Sequence, residues 1–380
     1  MSASIRSLLA QEKGRIRLLE AHDELSREIV RNGIGDDGQT FHGTWISGLT
    51  QTTYLGIPDT ELISPLERAA LITRTQSPPT NTRPLCTVYD ADSGGKRDDI
   101  PALVESLAKQ GVSMIIIEDK AAFEPGKKVN SLKETSGLQA QADMYEFAQT
   151  IRAFSTAAAN FDMMITARIE TFTVRTIKDD EAEEKESLKE ALRDALRRAA
   201  VYRSARADAI MIHSKSPSPD EVLSFLAGYR ANDPITPLVI VPTTYAKTSE
   251  DAFYNAGANV IIYANHLMRA KISAVSKFSE QFLAERPALF AQDKDLNNCV
   301  QVQNYGCLLQ RLLGKKNLDE AVKWYRILAE AYAIENMARV VKCLLNGKRC
   351  SEADNAIVES YRGIWNLLKM LLAGLPNEIE

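Results

Sequence analysis

Met114-Ile115-Ile116-Ile117-Glu118-Asp119-Lys120 decides how this chain is read. Four apolar residues, three of them β-branched, are the signature of a strand buried on both faces. At Glu118 the polarity flips to carboxylate, carboxylate, ammonium. A buried strand that ends in charge places that charge on the rim of its sheet, and in parallel α/β folds that rim is where ligands are handled. Lys128-Val129-Asn130-Ser131 follows after a short gap.

Outward from this run, short apolar segments alternate with amphipathic ones. Strands are predicted over 15–20, 44–46, 85–89, 113–117, 162–167, 208–212, 238–241 and 259–263. Helical patterns fall at 24–31, 65–74, 100–110, 139–156, 186–203, 219–231, 248–256 and 267–283. Pro65, Pro101 and Pro219 stand near helix starts, and Gly111 and Gly257 just before strands, as capping chemistry favours. Eight β/α units in succession imply a (β/α)8 TIM-type barrel over 1–290, although order alone leaves an open doubly wound sheet as the alternative. Segment 33–42 is a glycine- and aspartate-rich insertion expected on the surface, and 178–189 is a charge run read as a solvated helix start. Beyond 285 the spacing is helical without strands, which implies a C-terminal α-helical extension over 296–380.

The composition narrows the function. A net charge of −4 gives no basic footprint for nucleic acid, and no apolar run reaches the length of a membrane span. The five cysteines have no metal-binding spacing and only four histidines exist, so a structural zinc site is not expected. With no signal-peptide h-region at the start, a cytoplasmic enzyme acting on a small molecule is the expectation.

In a barrel the C-terminal ends of the strands share one mouth. Those ends carry Ser47-Gly48-Leu49, Asp90 and Asp92, Glu118-Asp119-Lys120, Arg168 and Glu170, His213, Thr243, and Asn265-His266, with Asp59 in the loop after the second strand. No strand interior carries such a group. Asp90, Asp92 and Glu118 are hard oxygen donors without thiol or paired imidazole neighbours, which suits Mg²⁺, or Mn²⁺, as the metal. Asp90 is expected to touch the ion, the others to act through water. Arg168 suits a bidentate grip on carboxylate or phosphate, and Ser47-Gly48-Leu49 offers backbone amides to an anion. The ensemble is built for a small, multiply anionic substrate.

The ordered motifs EAHDELSREIV (20–30), WISGL (45–49), LGIPD (55–59), DAD (90–92), EDK (118–120), KVNSL (128–132), ARIE (167–170), ADAIMIHSK (207–215), VPTTY (241–245) and YANH (263–266) resemble those of the phosphoenolpyruvate mutases. These belong to the phosphoenolpyruvate mutase/isocitrate lyase superfamily. The resemblance runs from about residue 5 to about 285. It implies an isomerase that interconverts phosphoenolpyruvate and phosphonopyruvate for phosphonate biosynthesis. Asp59, Lys120, Asn130, Arg168 and His213 would be catalytic. Trp45, Ser47, Gly48, Leu49, Lys128 and Ser131 would bind substrate. A homotetramer or homodimer is also implied. Phosphonopyruvate hydrolase and the C–C lyases are the alternatives within the superfamily. The lyases carry cysteine in the loop where this chain has Lys127-Lys128-Val129-Asn130-Ser131, and the hydrolase tends to place threonine where Asn130 stands. The chain departs from the family in a longer loop after EDK, in SGGKRDD after the aspartates, and in the 33–42 insertion.

Overall fold

A computed structural model describes residues 3–72, 83–121 and 140–285. The expected extension, together with Lys128, Asn130 and Ser131, lies outside the described residues. Eight strands form: β1 (Ile16–Glu20), β2 (Gly43–Ile46), β3 (Cys86–Asp90), β4 (Met114–Glu118), β5 (Met164–Ile169), β6 (Ala209–Ile212), β7 (Leu238–Ile240) and β8 (Val260–Tyr263). Each pairs in parallel with the next, and β8 returns to pair with β1. The sheet is a closed barrel, which removes the open-sheet alternative.

The helices are α1 (Ile5–Gln11), α2 (Glu24–Asn32), α3 (Gly48–Tyr54), α4 (Pro65–Ala70), α5 (Ile100–Lys109), α6 (Met144–Ala157), α7 (Thr171–Val174), α8 (Glu181–Ser204), α9 (Asp220–Arg230), α10 (Glu250–Asn255) and α11 (His266–Glu285). The short α1, α3 and α7 carry too few turns to show a period in sequence. Helix α6 starts later than predicted because Gln141 bridges to Lys120 and Asp143 caps the Tyr145 and Glu146 amides at 2.8 and 3.0 Å. Helix α8 starts earlier, at the charge run: Asp180 accepts from the Glu183 amide at 2.9 Å, and Glu181, Glu183 and Glu184 sit favourably at the positive end of the helix dipole. The 33–42 insertion closes on itself through an antiparallel bridge between Ile34 and Thr40. No helix among the described residues is long and apolar enough to cross a membrane.

The period of two along each strand sorts the barrel into two shells. Ile16 and Leu18, Trp45, Cys86 and Val88, Met114 and Ile116, Met164, Ala209 and Met211, Val239 and Val241, and Val260 and Ile262 pack together and fill the interior. The intervening residues, Tyr89, Ile115, Ile117, Ile165, Ala167, Ile210, Ile212, Ile240 and Ile261 among them, face the helices in a separate core. Two strand interiors are less apolar than expected. Arg17 faces outward and pairs with Glu250 at 2.8 Å, while Thr166 occupies an inward position between Met164 and Arg168.

The inner packing leaves no room at Gly43, where a Cβ would meet the Cys86 sulfur at 2.2 Å and the Cys86 carbonyl at 2.6 Å. Gly43→Ala is therefore expected to destabilise the barrel by about 1–3 kcal/mol, the usual cost of overpacking. Urea unfolding would check this, and an unchanged midpoint would contradict the packing.

Candidate active site

Continuing each inward column one step past its apolar residues gives the mouth. Val88 is followed by Asp90, Ile116 by Glu118, Thr166 by Arg168, Met211 by His213 and Trp45 by Ser47. The strand register places Glu118 directly beside Arg168. A cavity of about 60 Å³ opens here, lined by Trp45, Ser47, Leu49, Asp59, Asp90, Lys120, Arg168, Met211, His213, Val241, Thr243, Ala264 and Asn265. Eight of the site residues expected from sequence therefore face one space. Gly48 adjoins it through its amide, which donates to Asp90 Oδ2 at 3.2 Å. Asp92 and Glu118 lie just behind the lining.

The charges are tightly interlocked. Arg168 Nη1 lies 3.2 Å from Glu118 Oε2, and its Nε pairs closely with Glu170. Lys120 Nζ lies 3.2 Å from Glu118 Oε1. Burial opposes charge on Arg168, but Glu170, Glu118 and Asp90 outweigh it and push the guanidinium pKa above its ordinary value. Burial likewise works against the Glu170 carboxylate, yet Arg168, Lys120 and His213 hold its pKa well below the usual range. The His213 imidazole is lowered to about 3 by burial and then by Arg168, so it is neutral at physiological pH. Its buried Nδ1 has no hydrogen-bond partner among the described residues, as does Asn265 Oδ1.

The profile of the family described as phosphoenolpyruvate phosphomutase matches residues 5–283. The chain belongs to the phosphoenolpyruvate phosphomutase family. It is 30% identical over 324 residues to a phosphoenolpyruvate phosphomutase of Tetrahymena pyriformis, covering 83% of this chain and 93% of that one. It is also 30% identical over 272 residues to a phosphonopyruvate hydrolase of Variovorax sp. (strain Pal2), covering 70% of this chain and 82% of the relative. Among solved structures, a phosphoenolpyruvate phosphomutase from Streptomyces platensis subsp. rosaceus superposes with a TM-score of 0.64 at 29% identity, covering 82% of this chain and 100% of that one.

Carboxylate oxygens of Glu61, Asp92 and Glu118 lie within 4.8 Å of one another, all buried, and could hold a metal ion. An all-oxygen donor set suits Mg²⁺ or Mn²⁺. Asp90 adjoins this group, its Oδ1 3.3 Å from the Asp92 amide, and faces the cavity. Asp92 also forms an ion pair with Arg68, which is almost fully buried and hydrogen-bonds the Asp90 carbonyl at 2.7 Å. Gly48 is required beside it, because a Cβ there would meet Asp92 Oδ1 at 2.8 Å.

Glu61 and Arg68 were not singled out from sequence, and Glu170 was placed at the mouth without a role. Glu61 lies in an irregular loop, and its backbone, like that of Asp92, is left-handed, at φ 52° and 48° respectively. Such strain is held only by surrounding contacts, here the Ser93 amide and hydroxyl on the Glu61 carboxylate at 3.1 and 3.0 Å. No periodic pattern announces such a residue. Arg68 reads in sequence as an ordinary surface arginine of α4. Glu170 did carry a signal, since it follows Arg168 at a strand end. Glu20 ends β1 at the same level but serves the scaffold, accepting from the Met268 amide at 3.0 Å and from His22 at 2.7 Å.

The depressed His213 pKa has a consequence for stability. The unfolded chain takes up this proton near pH 6.5, whereas the folded protein resists until about pH 3. The stabilisation is therefore complete above pH 6.5 and fades as pH falls toward 3. Wild type is expected to lose stability between pH 7 and 4 more steeply than His213→Asn, measured by urea unfolding at each pH. Parallel curves would contradict a neutral buried imidazole.

Proposed function

We propose that this protein is a phosphoenolpyruvate mutase, interconverting phosphoenolpyruvate and phosphonopyruvate. The observation that carries this reading is the convergence of Arg168, Lys120 and neutral His213 on an acid-lined cavity, in a chain of the phosphomutase family. The reaction breaks the bond from phosphorus to the enol oxygen and forms one from phosphorus to the methylene carbon. The enolate supplies the electron pair, and no proton is gained or lost. Through a dissociative route the phosphoryl group is metaphosphate-like in transit, so it must be held and kept from water.

The residues divide this work. Arg168, held by Glu118 and Glu170, would present its guanidinium charge to the phosphoryl oxygens. His213, as a neutral ring, donates one N–H and removes no charge from its neighbours. Asn130 completes the clamp, and Asp59 borders it. Trp45, Ser47, Gly48 and Leu49 receive the substrate carboxylate, for which the Gly48 amide must exchange Asp90 as its acceptor. Lys120 lines the cavity as a further cation, and Lys128 and Ser131 are assigned to substrate binding by the family resemblance. Mg²⁺, or Mn²⁺, held by Asp90, Asp92, Glu118 and Glu61, would supply Lewis-acid polarisation of the pyruvyl oxygens. The product is a phosphonate precursor. A homo-oligomer is proposed from the family resemblance.

The hydrolase reading draws support from the Variovorax relative. It differs by letting water reach the phosphoryl group, and Asn130 in place of threonine favours the mutase. No cysteine stands in 127–131 to serve a lyase. ³¹P NMR of the protein with phosphonopyruvate and Mg²⁺ separates these chemistries. Phosphoenolpyruvate as the product is the expected result, and inorganic phosphate alone would replace the mutase with the hydrolase. Asn130→Thr is expected to lower mutase flux by about 10²-fold, the usual scale for a lost transition-state donor. Undiminished flux would remove Asn130 from the clamp.

A further inference from the structure

Strand alternation turns Asp119 away from the mouth even though its neighbours in sequence, Glu118 and Lys120, both serve it. Its carboxylate is fully buried against the helical shell. Oδ1 accepts from the Glu170 amide at 2.8 Å. Oδ2 accepts from the Tyr202 hydroxyl at 2.7 Å, from Gln141 Nε2 at 2.9 Å and from Arg198 Nη1 at 3.2 Å. The Asp119 amide donates to the Arg168 carbonyl at 3.0 Å, and its carbonyl accepts from the Ala142 amide at 2.8 Å.

We propose that Asp119 is the positioning residue of the site, a buried anion that sets the mutual geometry of Glu118, Lys120, Arg168 and Glu170 from behind the barrel wall. The proposal rests on the mutase reading for the identity of the reaction, though not for the geometry. Through one carboxylate and one peptide unit, Asp119 fixes the end of β4 to the end of β5. It also fixes the two points where the chain departs for and returns from residues 122–139. Ala121 donates to the Ala140 carbonyl at 2.8 Å, and Gln141 and Ala142 both bond to Asp119. Arg198 and Tyr202, one turn apart on α8, neutralise and orient the carboxylate, and Arg198 also bonds the Ala142 carbonyl at 2.9 Å. Gln141 passes the constraint on to Thr171 at 2.9 Å, immediately after Glu170. A hydrophobic residue would fill the same space with less desolvation, so a buried charge with this many partners is best explained by the geometry it enforces.

The test compares full-length wild type with Asp119→Asn and Tyr202→Phe. Asparagine keeps the shape but presents an amide where donors converge. Phenylalanine removes one donor from Asp119 and keeps the ring that packs edge-on against Phe147. Phosphonopyruvate turnover is followed by ³¹P NMR, Mn²⁺ binding by EPR titration, and the folded fraction by thermal melting. If Asp119 positions the site, kcat falls about 10²-fold in Asp119→Asn and about tenfold in Tyr202→Phe, while KM moves by less than about threefold. Mn²⁺ binding also weakens in both. Unchanged kcat per folded molecule with unchanged Mn²⁺ affinity, whatever happens to Tm, overturns the proposal. Should Asp119→Asn fail to fold, Tyr202→Phe decides by the same criteria. A wild type inert toward phosphonopyruvate defeats the mutase reading alone. The Mn²⁺ titrations then decide the positioning role, weaker binding supporting it and equal binding overturning it.

Discussion

The site depends on one buried guanidinium. Arg168 stands between Glu118 and Glu170 and pairs with both, with Lys120 as the second cation beside Glu118. Removing one partner of such a buried pair typically costs about 3–5 kcal/mol. The arrangement holds because its members come from adjacent strands in fixed register, Glu118 opposite Arg168. Burial first, and the same cation second, lower the His213 pKa, so the mouth combines a permanent positive charge with a neutral imidazole donor. On the proposed function, a small polyanion would meet fixed partners there and induce little reorganisation.

The barrel supplies the geometry by a simple rule. Inward positions are mostly apolar for two layers, and in β3, β4, β5 and β6 the third is ionisable, so a single periodicity builds both the core and the mouth. Closure of the sheet brings Asp90, Glu118, Arg168 and His213 within one ring. Behind that ring a second set of charges, Asp119 with Arg198 and Asp92 with Arg68, ties the mouth to α8 and α4. These outer pairs explain how so many buried charges coexist: nearly every acid has a cation or several amides assigned to it.

Most of this was legible in the sequence because strand ends are visible there. The isoleucine run before Glu118, the ARI before Glu170 and the MI before His213 each announce a buried strand and its rim. Closure was not legible from strand order, since it depends on pairing between β8 and β1, which are far apart in the chain. Glu61 and Arg68 escaped notice for a different reason. Neither lies on a periodic element's polar tip, and their burial is fixed by tertiary contacts with Ser93, Asp92 and the Asp90 carbonyl. The direction of Asp119 followed from strand parity, yet its role required the partners on α8 to be seen.

Joint occupancy of this mouth by a divalent ion and a small dianion follows from the proposed function. Diffraction from crystals grown with Mn²⁺ and oxalate, with data at an energy where manganese scatters anomalously, tests it most directly. One strong anomalous peak is expected beside Asp90 and the Glu61, Asp92 and Glu118 carboxylates, with oxalate between it and the Ser47-Gly48-Leu49 amides. Manganese bound anywhere else, with the mouth holding only water, would contradict it.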